Sequence, residues 1–158
     1  MITAIGLNPD FNEVIKNLIS MGYDAAEGCA AACRRLENAK YKQQVAAFSE
    51  DHLRHTRELS AVAHELQLDF PDGPDAEHLL PKGKLTLAEI FGDKAILKAL
   101  KSNIEDTRTA YERALAHRNL HPLARPAIQR GVADQRRHHA WIESELKAKS
   151  ESDTYASE

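Results

Sequence analysis

YKQQVAAFSEDHLRHTRELSAVAHEL, residues 41–66, is the stretch that decides the architecture. Tyr41, Val45, Phe48, Leu59, Val62 and Leu66 recur at steps of three and four. That is the period of an α-helix with one apolar face turned to a core. In the middle of the face, where apolar residues should continue, stand His52 and His55. A second stretch behaves in the same way. Over residues 124–148, ARPAIQRGVADQRRHHAWIESELKA, the stripe Ala124, Ile128, Gly131, Gln135, His138, Ile142 and Glu145 is interrupted at its centre by Gln135 and His138.

Two further helical patterns complete the chain. Asn8-Pro9 reads as an N-cap followed by proline at the first helical position. The stripe Phe11, Ile15, Leu18, Gly22, Ala25, Cys29, Ala32 and Leu36 follows it. Leu36 to Asn38 reads as a short turn, and the second helix should end near Gln67. The third should run from near Asp93 to near His117, with Leu97, Leu100, Ile104, Thr107, Tyr111 and Ala114 inward. His121-Pro122 opens the fourth, which should end near Ala148. No strand-period alternation occurs, so the expected fold is all-α. Between the second and third helices lies a link of about 25 residues, punctuated by Pro71, Gly73, Pro74, Pro81 and Gly83. Within it Thr86 is placed to cap a short helical turn from Leu87 to Phe91. A link that long can climb a whole bundle, so the expectation is an antiparallel four-helix bundle over residues 1–148 with one long crossover. Residues 149–158 are polar and small and read as a disordered tail.

Composition excludes several functions. The net charge is -3 and the basic residues are spread among acids, whereas a nucleic-acid binder clusters them. Mean hydropathy is -0.51 and no apolar run approaches the length needed to cross a bilayer, so no membrane partner is expected. The residues from Met1 to Phe11 carry no basic, then apolar, leader pattern, which makes the cytoplasm the expected compartment. Cys29 and Cys33 lie one helical turn apart and read as small core residues, or alternatively as a disulfide or soft-metal pair.

The arrangement resembles the ferritin-like superfamily of four-helix bundles, over about Asn8 to Ala148. The resemblance implies a Glu-x-x-His motif on helices two and four and one glutamate on each of the others. The matching segments here are His52-Leu53-Arg54-His55 and Gln135-Arg136-Arg137-His138. Both histidines match, while histidine and glutamine replace the two glutamates. The chain is also similar to a bacterial ferritin-like family of uncharacterised function, through Asp24-Ala25-Ala26-Glu27-Gly28 and Ile104-Glu105-Asp106. Asp24, Glu27 and Glu105 fall on solvated faces of the helical repeat. The mid-height inward positions are Gly22 and Ala25 on helix one and Ile104 and Thr107 on helix three, and none of them can bridge two irons. Asp51 and Asp134 are offset from the stripe centres by about 80 to 100 degrees of helix rotation, which makes them edge residues. They share a form, Asp-x-x-x-His with arginine before the histidine.

Two readings follow. In the first, His52, His55, Gln135 and His138 meet at one depth and form a reduced, histidine-rich site for a transition metal such as iron or zinc. No general base is evident beside it, so the expectation leans away from an enzyme. In the second, the protein is a metal-free structural or stress-related interaction protein, and the same residues form a polar network that holds helix packing. A homo-oligomer is expected under either.

Overall fold

The computed structural model describes residues 3–73 and 90–155, with the backbone alone over 151–155. It contains four helices, α1 (Phe11–Arg35), α2 (Ala39–Glu65), α3 (Asp93–Leu115) and α4 (Arg125–Tyr155), and no strand among the described residues. The all-helical expectation holds. The turn expected from Leu87 to Phe91 falls mostly outside the described residues.

Local chemistry sets the helix ends, and several differ from the sequence expectation. The cap of α1 is Asp10, whose carboxylate accepts from the Asn12 N–H at 2.9 Å. Asn8 instead accepts from the Asp10 N–H at 2.9 Å and shapes the approach. Leu36 turns extended and ends α1, and two residues later Asn38 caps α2 by accepting from the Lys40 and Tyr41 N–H groups. At its far end α2 closes in a Schellman motif. Gln67 takes φ 55°, Leu68 N–H bonds to Ala63 O, and Gln67 N–H bonds to His64 O. Before α4, His121 Nδ1 and its carbonyl accept from Leu123 and Ala124, so the chain turns once more and the helix begins at Arg125. The α4 backbone stays helical past Ala148 to Tyr155, into the segment expected to be a disordered tail. Nothing between Lys149 and Tyr155 breaks a helix, and Ser150 Oγ donates back to Leu146 O.

The helices pack α1 against α2 and α3, and α4 against α2 and α3. At one end the Asp93 carboxylate, at the start of α3, accepts from the Glu37 and Asn38 N–H groups at 2.8 and 3.0 Å. Lys40, at the start of α2, pairs with Glu145 of α4 at 2.6 Å. At the other end His117 and Asn119 bond to the Asn8 and Pro9 carbonyls, and Arg113 donates to Thr3 O.

The core has two apolar clusters, and each draws on all four helices. One is built on Phe11, Ile15, Leu18, Leu59, Tyr111 and Ile128. The other is built on Leu36, Val45, Phe48, Leu97, Leu100 and Ile142. Between them runs a polar layer of His52, His55, Thr56, Thr107, Asp134, Gln135 and His138, all buried. On α1 this level is lined by Gly22 and Ala26. Ala25, expected inward, is half-buried, because the helix turns its Ala26 edge to the core. Cys29 lies buried in the second cluster, Cys33 is half-buried, and both are free thiols. Burial pushes the Cys29 thiol up to about 12, as an inert core residue requires.

Close approach at this level depends on glycine. A Cβ built on Gly131 would stand 2.2 Å from Tyr111 Cε1, and the Tyr111 ring is held in the core. At Gly28 the nearest atom, Asn103 Nδ2, is 4.0 Å away. Gly131→Ala should therefore cost about 1–3 kcal/mol by overpacking. Gly28→Ala should stabilise by about 0.5–1 kcal/mol through helix propensity. Urea titrations of both variants measure this, and equal effects would mean that α4 does not lie on the Tyr111 ring.

Candidate functional site

His52 and His55 enter the polar layer from α2, and Gln135 and His138 enter from α4. All four are at most 1 % exposed. The convergence expected from their mid-stripe positions is present. The His52 ring lies 5.5 Å from His138 and 6.2 Å from His55, centroid to centroid. Gln135 turns its amide nitrogen toward His52 Nδ1 at 3.5 Å, a long contact. Phe48 stacks on His138 at 4.0 Å, and Tyr111 stands 5.6 Å from His55, so both rings have apolar walls.

The two aspartates are more central than edge residues. His55 Nε2 lies 2.9 Å from Asp134 Oδ2, and His138 Nε2 lies 2.8 Å from Asp51 Oδ2. Each histidine thus reaches the carboxylate of the opposite helix. Arg54 bonds to Asp51 at 2.7 Å on its own helix and to Asp134 across the seam. Arg137 bonds to Asp134 on its own helix and to Asp51 across the seam at 2.6 Å. The segments Asp51-His52-Leu53-Arg54-His55 and Asp134-Gln135-Arg136-Arg137-His138 are therefore related by a local pseudo-twofold, with His52/Gln135 and Leu53/Arg136 as the two unlike pairs. The repeated Asp-x-x-Arg-His spelling was the sequence signal for this. The crossing of partners between helices was not readable, since sequence spacing ranks same-helix contacts and says nothing of a neighbour's register.

Electrostatics fixes the protons. Burial works against ionisation of Asp51, but hydrogen bonds from His138 and Arg54 outweigh it and hold the carboxyl below its usual range. Asp134 is held low in the same way by the His55 hydrogen bond and the Arg137 charge, against burial. An ionised carboxylate only accepts, so each facing Nε2 carries a hydrogen, and an imidazole that is neutral in this arrangement has its lone pair on Nδ1. Both of these inner atoms, His55 Nδ1 and His138 Nδ1, are buried without a hydrogen-bond partner, as are Gln135 Oε1 and Tyr111 Oη. Burial depresses His52 to about 3, and competition for a proton with the neighbouring His138 and His55 adds to the effect. It also lowers His138 against the pull of Asp51.

Other residues raised by the sequence stay outside the layer. Glu105 bonds to His139 Nε2 at 3.1 Å on the α3–α4 surface, Asp24 is half-buried and Glu27 is exposed. Within the layer, Thr107 and Thr56 turn their hydroxyls back onto Asn103 O and His52 O. As placed, no three His, Cys, Asp or Glu side chains among the described residues form a group that could hold a metal ion. No helix among them is long and apolar enough to cross a membrane. Compared with protein families, with curated proteins and with solved structures, the chain matches none.

The layer makes stability depend on pH with a definite sign. His52 and His138 bind protons less readily folded than unfolded, so their contribution is intact above pH 6.5 and is lost as pH falls below it, for His52 down to about 3. Asp51 and Asp134, also lowered, add a loss that sets in as pH falls through the unfolded carboxylate value of 3.8. The melting temperature should be flat above about pH 7 and decline below it, with a slope of up to about 1.4 kcal/mol per pH unit for each histidine. His52→Leu should make the upper part of the decline shallower. Scanning calorimetry from pH 8 to pH 4 tests this, and an unchanged profile through pH 5 would contradict the buried, neutral histidines.

Proposed function

We propose that the chain is a ferritin-like, antiparallel four-helix bundle whose polar layer binds a transition-metal ion through His52, His55 and His138, with Gln135 beside them. The contacts of Asp93 with Glu37 and Asn38, and of Lys40 with Glu145, support the topology. They put the start of α3 beside the start of α2, as that topology requires. The observation that carries the metal reading is the set of buried side-chain atoms without a hydrogen-bond partner, His55 Nδ1, His138 Nδ1 and Gln135 Oε1. Leaving each unmade costs about 1–3 kcal/mol, and a cation satisfies several at once. Two of the imidazoles, His55 and His138, are also backed as metal-ligating histidines are, with the outer N–H donated to a carboxylate. Imidazole suits zinc, copper, nickel or iron. Ligation by all three rings calls for side-chain movement from the positions described. A homo-oligomer and a cytoplasmic setting belong to the same proposal, the latter in keeping with two free thiols.

The absence, among the described residues, of a ready group of three ligands favours a second reading, in which the layer is a packing network in a metal-free interaction protein. Elemental analysis of purified protein, before and after anaerobic incubation with ferrous, zinc and cuprous ions, separates the two. Stoichiometric metal is expected, with sharp loss in His55→Ala and His138→Ala. Asp134→Ala should weaken binding by about 10–100-fold, since it removes the acceptor that orients His55. Metal-free protein in every arm would leave the network. His52→Leu/Gln135→Leu should then be neutral or stabilising.

A further inference from the structure

The donors that face the interior are all uncharged: imidazole nitrogens, the Gln135 amide oxygen and the Tyr111 hydroxyl. The carboxylates that touch the histidines carry no spare charge. Asp51 and Asp134 are matched by Arg54 and Arg137, each arginine bonding to both carboxylates. The next carboxylate outward, Glu58, is matched by Arg130 at 3.1 Å and approached by Arg54. The layer therefore offers lone pairs without net negative charge, in a site closed off from water above and below by apolar clusters.

Such a site discriminates by ionic charge. The cost of moving an ion out of water into a weakly polarisable interior grows as the square of its charge, so a divalent ion of similar size costs about four times as much as a univalent one. A divalent ion recovers that cost from anionic ligands or from bound hydroxide, and the carboxylates of this layer are already matched by Arg54 and Arg137. Among univalent cations, alkali ions seek oxygen shells, whereas imidazole nitrogen suits the cuprous ion. Cuprous copper is also satisfied by two ligands, so it does not require the group of three that the described residues lack as placed. Resting on the metal reading above, we propose that the polar layer takes a univalent soft cation, the cuprous ion, in preference to divalent zinc or iron. Arg54 and Arg137 set that preference by cancelling the charge of Asp51 and Asp134.

The test is competition titration of the full chain without oxygen, cuprous ion against a chromophoric cuprous chelator and zinc against a chromophoric zinc chelator. Wild type should bind cuprous ion at least about tenfold more tightly than zinc, a gap of about 1.4 kcal/mol. Arg54→Gln/Arg137→Gln should move the ratio toward zinc by about tenfold or more, because two carboxylate charges are uncovered. Arg137→Gln alone, at a side chain that is 58 % exposed, should move it in the same direction by less and guards against a double variant that fails to fold. X-ray absorption of the cuprous protein should show a nitrogen and oxygen shell. Zinc binding as tightly as cuprous ion, or a ratio unmoved in both variants, overturns the proposal while leaving a metal site in place. A sulfur shell would put the ion at Cys29 and Cys33 and overturn it too. Failure of both ions to bind overturns the metal reading itself, and this inference with it.

Discussion

Two neutral histidines can face each other across a bundle only if each outer N–H finds an acceptor, and Asp51 and Asp134 meet that demand from opposite helices. The carboxylates in turn need partners, since a half-buried unpaired charge is costly. Arg54 and Arg137 bridge both of them. These arginines are 40 % and 58 % exposed, so each ion pair by itself contributes little. Their joint effect is geometric: they close the α2–α4 seam at mid-height. The rest of the layer depends on this closure. Ring orientation, the direction of the free lone pairs and the position of Gln135 opposite His52 follow from where the two carboxylates are held.

Much of this architecture was legible in the sequence because helical period and hydrophobic burial are local properties. The stripes of α2 and α4 placed His52, His55, Gln135 and His138 inward, and all four are buried. Errors arose where a neighbour decides the outcome. On α1 the inward edge passes through Ala26, because Gly22 lets Thr56 of α2 approach and rotates the helix. At Asp10 and at His121 the cap was chosen by hydrogen bonds two residues away, which proline position alone does not reveal. Asp51 and Asp134 sat one residue off the stripe and read as rim. Their burial comes from a partner on the other helix, and register between distant segments leaves no periodic trace.

The layer also has an imbalance that a stability argument must face. A fully satisfied polar network rigidifies a core, while an incomplete one is worse than apolar packing. Here the surplus is of acceptors, on His55, His138 and Gln135, with the Tyr111 hydroxyl as the buried donor left over. Natural selection for stability alone would favour leucine at such positions. Instead Asp51 and Asp134, each bonded to both Arg54 and Arg137, orient the His138 and His55 rings with Nδ1 inward.

Because each apolar cluster takes residues from all four helices, the ends of the bundle can hold while the middle changes. The pseudo-twofold ring limits which changes are possible. Sliding α4 along α2 by one turn, about 5.4 Å, would carry Asp134 away from His55 and Arg54, and Asp51 away from His138 and Arg137, all at once. Rolling or spreading the two helices about the seam stretches those contacts gradually. Mechanically, the molecule is then a vice with fixed jaws at either end: its middle can widen or tighten by small rotations, but its helices are geared against travelling lengthwise.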